Sequence, residues 1–126
     1  VPGWVLVGPT TDPDWAPLMK QAAAIVTDHG GRTSHAAIVC REFGLPGIVG
    51  TQEATKRLKD GDTVTVSSLD GTIYGGAATI ESTPIDLDAI PETRTRVMLN
   101  LADPEAAARW WRLPADGVGL ARAAFI

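Results

Sequence analysis

The stretch Thr27-Asp28-His29-Gly30-Gly31-Arg32-Thr33-Ser34-His35-Ala36-Ala37-Ile38-Val39 decides how this chain is read. The residues before and into it, Ala24-Ile25-Val26-Thr27, form a short apolar run rich in β-branched residues, which predicts a buried strand. Two glycines then break the chain. Ser34 to Phe43 carries helical periodicity, and Gly44 with Pro46 stops it. A strand, a glycine turn and a helix in that order begin an α/β fold.

The same stretch carries the chemistry. Gly30 and Gly31 permit positive φ and close backbone approach. The first turn of the helix presents free N–H groups, and its dipole favours negative charge there. Together these make a seat for a phosphate group. Thr33 and Ser34 add hydroxyl donors, Arg32 adds a charged fork, and His35 stands at the mouth of the seat. A neutral imidazole has one free nitrogen lone pair and attacks phosphorus without needing a base. The plain alternative is a histidine that caps the helix or is satisfied in the core. The convergence of two glycines, two hydroxyls and an arginine on one helix start favours chemistry over that alternative. On the residues alone, anion binding is the stronger reading and phosphoryl transfer stays open. His29 and His35 are the only histidines, and without a Cys-x-x-Cys pair they make a weak metal site.

At about 100° per residue, Cys40 lies about 140° around the helix from His35, which argues against a Cys–His nucleophile. It shares a face with Ala36, Val39 and Phe43 and is expected to be a small buried hydrophobe. Ile38 points roughly the opposite way, beside His35. It is a candidate docking residue for partner surfaces, with cover by a second layer of the same domain as the alternative.

Working outward, Trp4–Val7 predicts a strand ended by Gly8-Pro9. A helix falls loosely in Asp14–Ala22, blurred by Pro17. Gly47–Gly50 predicts a short strand, and Thr51 to Leu58 a helix with Thr51 as its cap and Ala54 to Leu58 as its body. Thr63–Val66 alternates polar and apolar. Asp70-Gly71 marks a hairpin turn, with Thr72–Tyr74 as the return strand. Ala77 to Arg94, with Pro84 and Pro91 and no period, reads as a linker. Arg96–Asn100 is then a strand, Asp103-Pro104 opens a helix to about Trp111, and Gly117–Ala121 is a second strand. One such βαβ unit cannot cover both faces of its strands, so it is expected to begin a larger domain.

Composition bounds the rest. The 126 residues are 44% apolar and 21% charged, which excludes a wholly disordered chain. No apolar run reaches the roughly 18 residues of a membrane span. The net charge of −4 comes from 11 basic and 15 acidic residues without a basic stripe, so neither nucleic acid nor an anionic membrane is an expected partner. A lone cysteine cannot form an internal disulfide and fits a reducing, cytoplasmic compartment. The opening Val1-Pro2-Gly3-Trp4 lacks Met and a leader pattern, and reads as a cut inside a longer chain.

The run Gly30-Gly31-Arg32-Thr33-Ser34-His35-Ala36-Ala37-Ile38-Val39, with Arg41-Glu42 and Gly44-Leu45-Pro46 behind it, resembles the phosphohistidine signature of the PEP-utilising enzymes. These include phosphoenolpyruvate synthase, pyruvate phosphate dikinase and enzyme I of the sugar phosphotransferase system. Thr11-Asp12-Pro13-Asp14-Trp15, Pro17 with Met19-Lys20, and Gly117-Val118-Gly119-Leu120-Ala121-Arg122 are most similar to the synthase branch. The resemblance covers nearly the whole chain. It departs at His29, where the family more often has Arg, Lys or Glu, and at Cys40, where it has Ala or Ser.

The resemblance implies a mobile β/β/α layered phosphohistidine domain over 1–78, a linker over 79–94, and the first β–α–β of a PEP/pyruvate-binding (β/α)8 barrel over 95–126. It implies that His35 accepts a phosphoryl group derived from ATP and passes it to pyruvate, giving phosphoenolpyruvate, AMP and phosphate. The domain would move between an ATP-grasp nucleotide-binding domain and the barrel of the same parent chain. Mg2+ would act in the full-length enzyme through ligands outside this chain, with none held by the fragment, which would be inactive alone. Thr33 would be a regulatory phosphosite for a kinase or phosphorylase. Arg122, after a barrel strand, would grip the carboxylate or phosphate of the substrate. The alternatives are a dikinase or another phosphotransferase of the family, and a non-catalytic anion-binding regulatory module.

Overall fold

The structure of the chain, a computed structural model, describes residues 3–122. Val1-Pro2 and the last four residues of the expected barrel fragment lie outside the described residues. The chain divides into two compact units, 1–79 and 80–126.

The first unit is mixed α/β. β1 (Val5–Gly8), β2 (Ala24–Thr27) and β3 (Gly47–Ile48) form a parallel sheet in that order. β1 and β2 pair from Val5 with Ala24 to Gly8 with Thr27. β1 thus sits one residue later than Trp4–Val7, because Gly8 holds the ladder: its C=O accepts the Asp28 N–H at 3.1 Å. The expected 14–22 helix is shorter. A 3-10 turn at Pro13–Trp15, capped by Asp12, leads into the single-turn helix α1 (Ala16–Met19), whose first turn tolerates Pro17 because no N–H is needed there. β2 is buried along its whole length, as a central parallel strand must be.

α2 (His35–Phe43) is the long helix of this unit. Ser34 caps its start. Gly44 ends it with φ 65°, and Leu45 N–H bonds the Cys40 C=O at 2.8 Å in the closing turn. Its inner face buries Ala36, Val39 and Cys40 against Met19, Ala22 and Ile25, with Leu6, Phe43, Leu45 and Val49 packed around them. Burial of Ile25 and Val39 contributes about 1.5–3 kcal/mol each. The helix lies so close to β3 that a Cβ on Gly47 would stand 2.5 Å from Cys40 Sγ.

After β3 the chain turns sharply. Gly50 has φ 74° and Gln52 has φ 67°, and α3 (Ala54–Arg57) starts at Ala54 as expected for the helix body, with Glu53 and not Thr51 at its N-cap position. Left-handed backbone at Gln52 keeps Thr51 out of that position. The Thr51 hydroxyl still accepts the Ala54 N–H at 3.2 Å. β4 (Val64–Ser67) and β5 (Thr72–Gly75) form an antiparallel hairpin, and Tyr74 donates to Asp70 Oδ2 at 2.7 Å beside its turn.

A buried carboxylate holds the loops beyond β2 and β3 together. Asp28, 6% exposed, accepts from Thr51 Oγ1 at 3.3 Å, from Thr55 N–H at 3.1 Å and from the Thr55 hydroxyl. Its backbone bonds Gly8 on one side and Gln52 on the other. The Thr55 hydroxyl holds the Asp28 carboxyl below its ordinary value of 3.8, against an opposing push from burial.

In the second unit, β6 (Met98–Leu101), α4 (Pro104–Trp110) and β7 (Gly117–Ala121) form a parallel βαβ unit. Asp103 caps α4 through the Glu105 N–H at 3.0 Å, and Pro104 opens it. β7 is exposed along its length, with Val118 and Leu120 each 52% exposed. Between the hairpin and β6, regular structure among the described residues is limited to a 3-10 turn at Leu87–Ala89.

Two substitutions test this account. Gly47→Ala should cost about 1–3 kcal/mol by overpacking, and combining it with Cys40→Ala should cost less than the sum of the two, read from urea unfolding. A depressed Asp28 value means the unfolded chain takes up the proton first. The stability Asp28 confers is therefore present above about pH 4 and is lost as pH falls through its folded value. The advantage of the wild type over Asp28→Asn should shrink on acidification. An advantage independent of pH would overturn the assignment.

Candidate functional site

The three strands of the first sheet are parallel, so their carboxyl ends share one edge, where ligand sites form in open parallel sheets. β1 runs into Pro9–Thr11, β2 into Asp28–Gly31 and β3 into Val49–Gln52. Hydrogen bonds continue past the strand ends: His29 N–H to Pro9 O at 2.9 Å, Thr51 N–H to Thr27 O at 3.1 Å and Gln52 N–H to Asp28 O at 2.9 Å. The Gly30 and Gly50 turns are pressed together, since a Cβ on Gly50 would stand 2.8 Å from the Gly30 oxygen.

The two adjacent glycines do different things. Gly30 has φ 117°, and a Cβ there would meet Ser34 Oγ at 2.9 Å. Gly31 has no such φ, and a Cβ on it would meet nothing within 4 Å. The expectation of positive φ therefore holds for Gly30 and not for Gly31, which leaves open space beside the turn.

Ser34 departs from its expected part as a free donor. Its hydroxyl donates to Gly31 O at 2.8 Å and accepts the Ala37 N–H at 3.4 Å, so it closes the turn and caps α2. His35 and Ala36 follow as the first two helical residues, whose N–H groups have no intrahelical acceptor. Arg41 Nη2 donates to the Arg32 C=O at 2.6 Å and ties the turn to the helix.

His35 Nδ1 lies 3.1 Å from Thr11 Oγ1. With the Nδ1 proton donated to Thr11, the Nε2 lone pair is free. The ring opens on a cleft of about 220 Å³ lined by Thr10, Thr11, His29, Gly30, Ser34 and neighbouring residues. Of the predicted seat, Gly30, Ser34 and His35 line this cleft, whereas Gly31, Arg32 and Thr33 are exposed and do not. Ile38 is 39% exposed and Val39 1%, in line with the helical geometry of the sequence. Cys40 is buried, and burial pushes its thiol up to about 11, which keeps it protonated at neutral pH. Arg122 lies in the second unit, exposed just beyond β7, its N–H bonded to Leu101 O at 2.8 Å.

Sequence reasoning missed Thr11 and Asp28. A threonine pair directly after a strand end, Thr10-Thr11, and the i,i+4 spacing of Thr51 and Thr55 behind an aspartate were the available signals. Among the described residues no group of three or more His, Cys, Asp or Glu could hold a metal ion. No helix among them is long and apolar enough to cross a membrane.

Comparison with known proteins places these features. The chain is 53% identical to the phosphoenolpyruvate synthase of Aquifex aeolicus over 98% of its own length and 15% of that protein's. It is 50% identical to the Deinococcus radiodurans enzyme of that name, covering 98% and 16%, and 47% identical to that of Escherichia coli, covering 99% and 16%. The chain thus spans about 15% of the length of these relatives. A solution NMR structure of an Enzyme I protein matches 60% of this chain and 32% of its own, at TM-score 0.51 and 35% identity. Residues 1–71 match the family described as PEP-utilising enzyme, mobile domain. With the Gly30 turn, the capped helix and the oriented histidine all inside that match, the chain belongs to the PEP-utilising enzyme mobile-domain family.

Proposed function

We propose that the chain is the phosphocarrier region of a phosphoenolpyruvate synthase, in which His35 takes a phosphoryl group derived from ATP and passes it to pyruvate. The observation that carries this reading is His35 at the start of α2, its Nδ1 3.1 Å from Thr11 Oγ1 and the residue lining a cleft. In the first half-reaction the Nε2 lone pair bonds phosphorus. The bond from phosphorus to the leaving oxygen breaks, that oxygen keeps the electron pair, and the Nδ1 proton stays on the ring, hydrogen-bonded to Thr11. In the second, the enolate oxygen of pyruvate bonds phosphorus and the N–P electron pair returns to Nε2. The unpaired N–H groups of His35 and Ala36 and the helix dipole stabilise the phosphate between the two steps. The identities of 47–53% to enzymes named phosphoenolpyruvate synthase favour a synthase over a dikinase.

In this reading the first unit is the β/β/α phosphohistidine domain, 79–94 is its linker, and 95–126 opens the (β/α)8 barrel of a parent chain that also supplies an ATP-grasp domain. The uncovered β7 supports a barrel start, because further strands and helices would bury it. Arg122, at the carboxyl end of β7, then binds substrate. Thr33, exposed two residues before His35, is open to a regulatory kinase or phosphorylase. A phosphate there would add about −1.5 to −2 charges and repel the phosphoryl donor.

The parent enzyme tests each part. His35→Ala should abolish both half-reactions while leaving the protein folded, measured by phosphoenzyme labelling from ATP and from phosphoenolpyruvate. Arg122→Ala should weaken the pyruvate half-reaction and spare labelling from ATP. The reverse pattern would remove Arg122 from the substrate site. Thr33→Glu should lower turnover, and unchanged turnover would count against the switch.

A further inference from the structure

His29 and His35 both line the same cleft, and among the described residues lining it they are the ionisable ones, with no carboxylate among them. The neighbouring Asp28 carboxylate is turned to Thr51 and Thr55. The His29 backbone is held on both sides: its N–H donates to Pro9 O at 2.9 Å and its C=O accepts the Thr27 hydroxyl at 2.7 Å. The side chain itself is exposed and serves no core contact. Gly30, with φ 117°, follows it directly and turns the chain toward His35. An imidazole presents at least one N–H in either protonation state, and a fixed donor aimed where negative charge gathers lowers the barrier to phosphoryl transfer.

We infer that His29 is a second catalytic residue of this cleft, donating a hydrogen bond to the phosphoryl oxygens as phosphorus bonds to His35. This rests on the phosphocarrier reading of His35. It adds an imidazole from outside the helix, and Arg32 and Thr33 of the expected seat do not line the cleft.

Phosphoramidate tests it on the 126-residue chain without any partner domain. Nε2 of His35 bonds phosphorus, the P–N bond of phosphoramidate breaks, ammonia leaves with the electron pair, and the Nδ1 proton stays on the ring. Phosphorylation is followed by 31P NMR and located by mass spectrometry. His29→Ala should slow phosphorylation of His35 about tenfold, the scale of one hydrogen bond to a charged group. His29→Arg, which keeps an N–H donor, should recover most of the rate. His29→Leu serves as a second donor-free variant, and thermal unfolding of each checks the fold. If the wild type is phosphorylated on His35 and the donor-free variants react at its rate, the role of His29 is overturned while His35 stands. If the wild type gains phosphate elsewhere and not on His35, both readings fall.

Discussion

The carboxylate of Asp28 is the constraint on which the site depends. It lies at the end of a fully buried strand, and three donors from Thr51 and Thr55 converge on it. A buried carboxylate is tolerated only when its oxygens are satisfied, so the β3–α3 loop must stay where those donors are. That fixes Gly50 against Gly30, and so fixes the turn that delivers Ser34 and His35. The left-handed Gln52 is held within this arrangement by its bond to the Asp28 carbonyl. The turn that carries Gly30, Ser34 and His35 is thus positioned from behind by residues that do not face the cleft.

Orientation of the His35 ring comes from a different part of the chain. Thr11 is 24 residues before His35 and reaches it only because β1 and β2 are parallel neighbours with their carboxyl ends together. A hydroxyl beside one ring nitrogen selects which nitrogen faces the cleft. The helix supplies fixed N–H groups, the loop supplies shape, and the neighbouring strand sets the ring. Each contribution comes from the backbone or from a short side chain, so little conformational entropy is left to lose at the cleft.

Much of this was legible in residues whose meaning is local. Gly44, Pro104, Asp103 and the Asp70-Gly71 turn each carry a conformational rule that no neighbour overrides, and the elements they bound lie where expected. The body of α3 from Ala54 was legible, but its N-cap position was not, because the left-handed Gln52 and the bonds of Thr51 to Thr27 and Asp28 depend on the loop around Asp28. Ser34 was legible as a helix boundary, but the use of its hydroxyl depends on how tightly Gly31 turns back. Thr11 and Asp28 depend on which loops the sheet brings together, and that information is spread over some forty residues. The face of α2 was readable throughout, since helical geometry alone separates Val39 from Ile38.

The open βαβ unit has a practical consequence. Val118 and Leu120 pair with the adjacent Leu99 and Asn100 across a register shift in the β6–β7 ladder, and both are half exposed. Two parallel strands with exposed apolar side chains and open edges offer a template to any other strand of similar pattern. In concentrated solution the chain is therefore expected to self-associate through its second unit, and shortening it at the boundary near Thr79 is the natural route to a well-behaved sample.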